Sequence, residues 1–235
     1  MTNTMVKSFI VTTVICLFAL TSKAQLGYMY SPVDLGVAGT VNTVYGDSKI
    51  QQNKFSGDVS LSYNQTPFVN YVFDFQAGNL SGGNIKKNIY GSQFSNNYTA
   101  YTGRAQLQLG EITDYSQSAI ANAFKNLYLS TGVGFIVNDA SAVHYVVSQG
   151  NPYASTQSNS TEAFIPIRIG YEFKLFNAYN EPTIKFDLAY QTNYVLGDEI
   201  DALKLGNSND IFKQFSLGVK FAIGTPTSYR KQISY

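Results

Sequence analysis

The sequence predicts an all-β protein: an eight-stranded antiparallel transmembrane β-barrel with a short helix in one connecting turn. Three observations carry this. Eight segments between Val33 and Gly224 alternate between large apolar residues and small or polar ones. The apolar set holds no acid and one base, Lys213, whereas the polar set holds charges of both signs. An apolar leader precedes them all. Alternation of this kind with the greasy face outward is the pattern of a barrel that meets lipid outside and water or polar groups inside.

The leader comes first. Lys7 precedes the apolar run from Phe9 to Leu20, and Ser22-Lys23-Ala24 supplies small residues before Gln25. This reads as a signal peptide over 1–24. The run is too short for a spanning helix, so a retained N-terminal anchor is the weaker reading. Cys16, the sole cysteine, lies inside the run rather than at a lipoprotein cleavage point. The chain from 25 to 235 then carries no thiol chemistry and no disulfide. Losing Lys7 and Lys23 leaves 14 bases against 15 acids, so no basic field attracts nucleic acid. About 210 residues make one domain.

The strands follow in order. Val33–Tyr45 sets Leu35, Val37, Val41 and Tyr45 against Asp34, Gly36, Ala38, Thr40 and Asn42. Phe55–Asn64 sets Val59, Leu61 and Tyr63 against Ser56, Asp58 and Ser60. Phe68–Gly78 sets Tyr71, Phe73 and Phe75 against Asn70, Asp74 and Gln76. Tyr98–Leu109 sets Tyr101, Ala105 and Leu107 against Thr102, Arg104 and Gln106. Leu127–Val137 sets Leu129, Val133 and Phe135 against Ser130, Gly132 and Gly134. Ile165–Leu175 alternates most regularly, with Pro166, Arg168, Gly170, Glu172 and Lys174 on the polar side. Ile184–Tyr194 sets Phe186, Leu188 and Tyr190 against Lys185, Asp187 and Gln191. Ile211–Ile223 sets Phe215, Leu217, Val219 and Phe221 against Gln214, Ser216, Gly218 and Lys220. Each is long enough for a tilted strand to cross a bilayer.

Connections alternate as well. Gln65–Pro67 and Phe176–Pro182 are short; 79–97, 139–161 and 195–209 are long. Short turns on the periplasmic side and long loops outside place both termini in the periplasm. One turn, 111–126, is long on the short side. Its core, 116–125, reads as a helix capped by Ser116, with Ile120 and Phe124 four apart on the buried side, lying under the lumen.

A soluble barrel with an apolar interior is the rival, and volume argues against it. An eight-stranded interior is just filled by ordinary side chains, and six large residues from one strand would not fit. Lys213 would snorkel from the outer end of the last strand. Tyr45, Phe55, Tyr63, Tyr98, Tyr171, Tyr190 and Tyr194 fall near strand ends, where girdles form. Pro166 within a closed wall predicts a bulge.

On these residues the chain resembles the small eight-stranded outer-membrane barrels, of the OmpA-transmembrane-domain and OmpX type, and the outer-membrane β-barrel domain proteins of Bacteroidetes. The resemblance spans Val33 to Gly224. It implies residence in the outer membrane of a Gram-negative bacterium, contact with outer-membrane lipid, and insertion by the barrel assembly machinery. Phe221 matches the position of the insertion signal. The helical turn and the tail 225–235 depart from the OmpX pattern.

The organised polar constellation is the lumen set: Asp34, Asp58, Asp74, Glu172 and Asp187 with Arg104, Arg168, Lys174, Lys185 and Lys220. Strand adjacency predicts pairs Asp74–Arg104, Glu172–Lys185 and Asp34–Lys220. A salt-bridged structural core is the favoured reading, because buried charges need partners; a narrow gated pore, in which pairs exchange, is the alternative. A lipid A-modifying enzyme would need a Ser/His/acid set. The sole histidine, His144, lies in the loop 139–161 near Ser141 and Ser148 with no acid placed to orient it. Asp198, Glu199 and Asp201 could hold a cation loosely, and a solvated acidic loop is the plainer reading. No cofactor is implied. The loops 79–97 and 139–161, rich in Asn, Ser, Gly and Tyr, suit adaptable binding of an extracellular ligand.

Overall fold

The computed structural model describes residues 27–45, 50–85, 92–115, 118–145, 153–197, 199–202 and 210–230. The leader 1–24 and Ser116 lie outside these residues. Among the described residues there are ten strands: β1 (Gly27–Tyr30), β2 (Val33–Tyr45), β3 (Asn53–Asn64), β4 (Val69–Gly83), β5 (Ser92–Gln108), β6 (Leu127–Tyr145), β7 (Tyr153–Phe176), β8 (Pro182–Val195), β9 (Ile211–Ile223) and β10 (Thr227–Arg230). Strands β2 to β9 form a closed antiparallel barrel in sequence order, with β9 hydrogen-bonded to β2. Closure leaves no free strand edge in the wall, as a barrel in lipid requires.

The alternation sorts as the sequence predicts. Phe55, Phe73, Leu129, Val133, Phe135 and Leu217 are exposed on the outside, while Asp34, Arg104, Glu172 and Lys185 are buried inside. An apolar exterior of this kind is stable only against lipid. Lys213 places its Nζ 4.4 Å from the centroid of the Tyr45 ring, which lets its charge leave the apolar face. Tyr63 and Tyr71 stack side by side at one rim, with centroids 6.5 Å apart. Two residues assigned to the girdle belong elsewhere. Tyr98 is buried in the lumen, as its parity with Arg104 requires. Tyr171 lies on the outer face but is covered, and its hydroxyl donates to the Ala123 carbonyl at 2.7 Å.

The sheet is taller than expected. β5, β6 and β7 have 17, 19 and 24 residues, beyond the roughly 9–11 that a tilted strand needs to cross a bilayer. Much of 79–97 and 139–161, expected as loops, is therefore paired strand: Asn79 faces Asn97, Asn97 faces Asp139, and Asp139 faces Asn159. Those three strands extend the wall at the end opposite β1 and β10.

The terminal end is closed by extra elements. β1 and β10 pair in a two-stranded sheet outside the barrel, so part of the expected tail 225–235 is structured. The turn after β5 holds two short helices, not one: α1 (Leu109–Ile112) and α2 (Ala119–Phe124). Ser118 is the N-cap of α2, accepting from the Ala121 amide. Ile120 and Phe124 are exposed, and the residue that α2 buries is Asn122. The expected orientation of this helix is thus reversed.

Pro166 produces no bulge. The β6–β7 register is the same on either side of it, Thr131 opposite Ile167 and Gly134 opposite Phe164. The ladder instead skips the rungs of Ile165 and Pro166 with Gly132 and Val133, and Thr131 Oγ1 donates to the Pro166 carbonyl at 3.0 Å. The irregularity falls instead between Leu175 and Phe176, at the β7–β8 turn. Two glycines make room for lumen aromatics. A Cβ on Gly134 would lie 2.3 Å from the Phe164 ring, and one on Gly170 would lie 2.5 Å from the Tyr128 hydroxyl. Each glycine faces that aromatic across the strand pair, so the tip of the side chain occupies the space a Cβ would take.

Candidate functional site: the lumen and its two closures

The lumen is filled in three tiers. Nearest the termini is the charged tier. Arg104 holds Asp74 through Nη2 at 2.6 Å and Nε at 2.8 Å, as adjacency predicts. The other two expected pairs are exchanged. Lys185 binds Asp34 at 2.5 Å, and Lys220 binds Glu172 at 2.6 Å. The register gives the reason. Glu172 faces Asp187, Lys174 faces Lys185, and Lys185 faces Lys220. Like charges stand side by side along the wall, so each side chain reaches past its neighbour to an opposite charge two strands away. In so small a barrel such reach is easy, because opposite walls are only side chains apart.

Further contacts knit the tier together. Arg168 donates from Nη2 to Asp187 at 2.7 Å and from Nε to the Tyr128 hydroxyl at 3.0 Å; Tyr128 in turn donates to Asp187 at 2.8 Å. Glu172 accepts from the amides of Gln106 at 3.1 Å and Gln108 at 2.7 Å, and lies 3.9 Å from Lys174. Lys174 donates to the Pro67 carbonyl and to Gln108 Oε1, both at 2.8 Å. Asp58 stands apart, half-buried, accepting from Thr40 at 3.2 Å.

The middle tier is made of amides. Gln214 Nε2 donates to Asn42 at 2.9 Å and, across the lumen, to Gln76 at 2.8 Å. Asn193 donates to Gln214 at 3.0 Å, and Gln191 to Asn193 at 2.7 Å. Asn42 donates to the Tyr98 hydroxyl at 3.0 Å. Each amide both donates and accepts, so the layer satisfies itself without water.

The tier furthest from the termini is apolar. Val44, Leu80, Phe94, Ile136, Phe164 and Phe212 form a buried cluster that Ile200 joins from the β8–β9 connection. Phe164 and Phe212 meet edge to face with centroids 5.7 Å apart. Ile200 is fixed there because its carbonyl accepts from Asn96 at 2.8 Å and its amide donates to Asp210 at 3.2 Å. Asp201, expected in a solvated acidic loop, is buried, and Asp198 lies outside the described residues. The sequence reading missed this tier. Its signal is a pair of adjacent large apolar residues where alternation fails: Phe135-Ile136, Phe164-Ile165 and Ile211-Phe212.

The terminal mouth is capped by Phe68, fully buried, with Tyr115 and Tyr229 against it at 5.5 and 6.1 Å. Lys174 Nζ sits 5.3 Å over the Phe68 ring. Beside this cap, Lys125 Nζ lies 5.1 Å over Tyr115. Burial lowers the Lys125 pKa to about 8 and raises that of Tyr115 to about 12.

His144 is in strand β6, not in a loop, and faces Ser92 and Ala154. Ser141, three residues away, lies on the opposite face of the strand, and Ser148 lies outside the described residues. Among the described residues no group of three His, Cys, Asp or Glu side chains could hold a metal ion.

The chain matches no protein-family model and no curated protein sequence. It is similar to several solved outer-membrane structures. Neisserial surface protein A shares 15% identity over 82% of this chain and 98% of its own, with a TM-score of 0.45. Ail, the attachment invasion locus protein of Yersinia pestis, shares 12% over 82% and 99%, with a TM-score of 0.47. CarO of Acinetobacter baumannii shares 12% over 80% and 97%, with a TM-score of 0.39.

Proposed function

We propose that this is a non-conducting outer-membrane barrel of a Gram-negative bacterium that works through its exterior, as a structural or binding protein of the envelope. One observation carries the reading: a charged tier, an amide tier and an apolar tier of packed side chains fill the lumen, and buried residues cap it at both ends. A barrel built this way offers its rims and loops, not its bore. The ten lumen charges act in this reading as a structural core.

The binding surface we favour is the tall part of β5–β7. Its outer face changes from Tyr101 and Phe135 to Thr99, Asn97, Asp139, Asn159 and Thr161, which together with the exposed Val137 line a shallow concavity of about 560 Å³. Amides, hydroxyls and one carboxylate favour an uncharged, hydrogen-bonding extracellular ligand such as a glycan. The termini lie in the periplasm, and insertion uses the barrel assembly machinery after removal of 1–24. Enzymatic action on lipid A is the least supported class, since His144 is not set in a triad.

A glycan array probed with the barrel in nanodiscs tests the reading. Binding that is lost in Asn97→Ala/Asn159→Ala would support it. Ion flux through proteoliposomes would favour the pore, and an altered lipid A acyl pattern on expression would favour the enzyme.

A further inference from the structure

Helix α2 repeats, in helical form, the inside-out pattern of the strands. Asn122 is buried, while Ala119, Ile120 and Phe124 are exposed. Ile120 is 73% exposed and Phe124 45%. A surface helix of a protein in water would show the reverse.

The helix packs Ala121 on the Phe68–Tyr115 cap and also touches the lipid-facing wall. The Tyr171 hydroxyl that holds the Ala123 carbonyl belongs to the outward face of β7. Lower on the same face come Phe173 and Leu175, and Leu175 is exposed. Leu175 lies four steps along the strand from Tyr171, roughly 13 Å at about 3.3 Å per residue. The exposed face of α2 is therefore flanked by apolar wall that continues further from the bilayer centre. β6 begins only at Leu127, opposite Tyr171, so α2 occupies the flank of β7 where no strand lies. The Gly110 amide donates to the Lys125 carbonyl at 2.7 Å, tying α1 to the end of α2.

We propose that α2 is an interfacial anchor, with Ile120 and Phe124 seated in the acyl–headgroup boundary of the leaflet at the terminal end. The occupant of this face is phospholipid, because the face is continuous with the lipid-contacting wall. Interfacial helices bind in this manner through a small buried apolar face. The connection that the topology would allow to be a tight turn is long here because it carries a second membrane contact.

The inference rests on the barrel being embedded in a bilayer, and the test separates the two. The chain contains no tryptophan, so each introduced indole reports alone. Ile120→Trp, Phe124→Trp, Val133→Trp and Ser228→Trp are reconstituted as full-length protein in phosphatidylcholine vesicles, with and without brominated acyl chains. Val133 is exposed in the middle of the wall, and Ser228 is exposed on β10. The proposal predicts blue-shifted emission at 120 and 124, bromolipid quenching most marked with bromines near the headgroup, and shielding from iodide. Emission at 120 and 124 that matches Ser228→Trp, while Val133→Trp is quenched, overturns the anchor and leaves that face to a protein partner. Loss of quenching at Val133→Trp as well overturns the membrane barrel itself. Either of the two helix variants suffices if the other fails to show heat-modifiable migration.

Discussion

Glu172→Gln is the sharpest perturbation of the charged tier. Glu172 is 2% exposed and holds Lys220 at 2.6 Å and Lys174 at 3.9 Å, while accepting from Gln106 and Gln108. The substitution changes little volume but has two electrostatic consequences. Lys220 keeps only the longer ion pair, to Asp187 at 3.6 Å, and one buried amine loses much of its charge compensation. Breaking a buried ion pair from one side costs about 3–5 kcal/mol. The new amide also points an N–H at a carboxamide donor, and an unsatisfied buried donor costs about 1–3 kcal/mol. The terms overlap, so a loss of at least about 3 kcal/mol is expected. Urea titration in phospholipid vesicles, followed by heat-modifiable migration, measures it. Adding Lys220→Met removes the stranded charge, so the double variant should recover about 2 kcal/mol relative to additivity, within the range of measured pair couplings. A loss under about 1 kcal/mol for Glu172→Gln, or strict additivity in the double variant, would refute the reasoning about a closed, interdependent core.

Further outcomes follow from the other tiers. Phe212→Ala empties a fully buried site beside Phe164 and Tyr98 and should lower stability by about 3–5 kcal/mol in the same titration. Gly134→Ala drives a Cβ into the Phe164 ring and should cost about 1–3 kcal/mol by overpacking, with most of that cost absent in a Phe164→Leu background. Lys125 supplies a pH dependence. Its folded pKa of about 8 lies below the ordinary value of 10.5. Below pH 8 both states are protonated, and the fold bears the whole cost of burying the cation. Between 8 and 10.5 the unfolded chain holds more protons, so stability rises with pH; above 10.5 the cost is gone. Lys125→Met should therefore exceed the wild type by about 1–3 kcal/mol at pH 7, and the gap should close as pH approaches 10.5. A constant gap from pH 7 to 10.5 would show that the ammonium is not desolvated.

The architecture was legible because a period of two is hard to produce by chance and sets each residue's face. Strand order, the lipid-facing side and the Asp74–Arg104 pair all follow from it. Partner choice among the lysines did not, since it depends on which side chains reach across a narrow lumen, and nearest-strand adjacency ignores that reach. The strand ends of β5, β6 and β7 were hidden because Asn, Ser and Gly in tall strands look like loop residues. Tyr98 was misread against its own parity. Ile120 and Phe124 are exposed, against the usual pattern of a helix in water, because α2 turns Asn122 inward and packs Ala121 on the Phe68–Tyr115 cap.

The central claim is that the lumen is sealed, and planar-bilayer recording of the purified, heat-modifiable protein tests it most directly. The account predicts a quiet trace for the wild type over long recordings. Discrete current steps that change in amplitude or frequency in Asp74→Ala or Arg104→Ala would contradict it and make the charge network a gate.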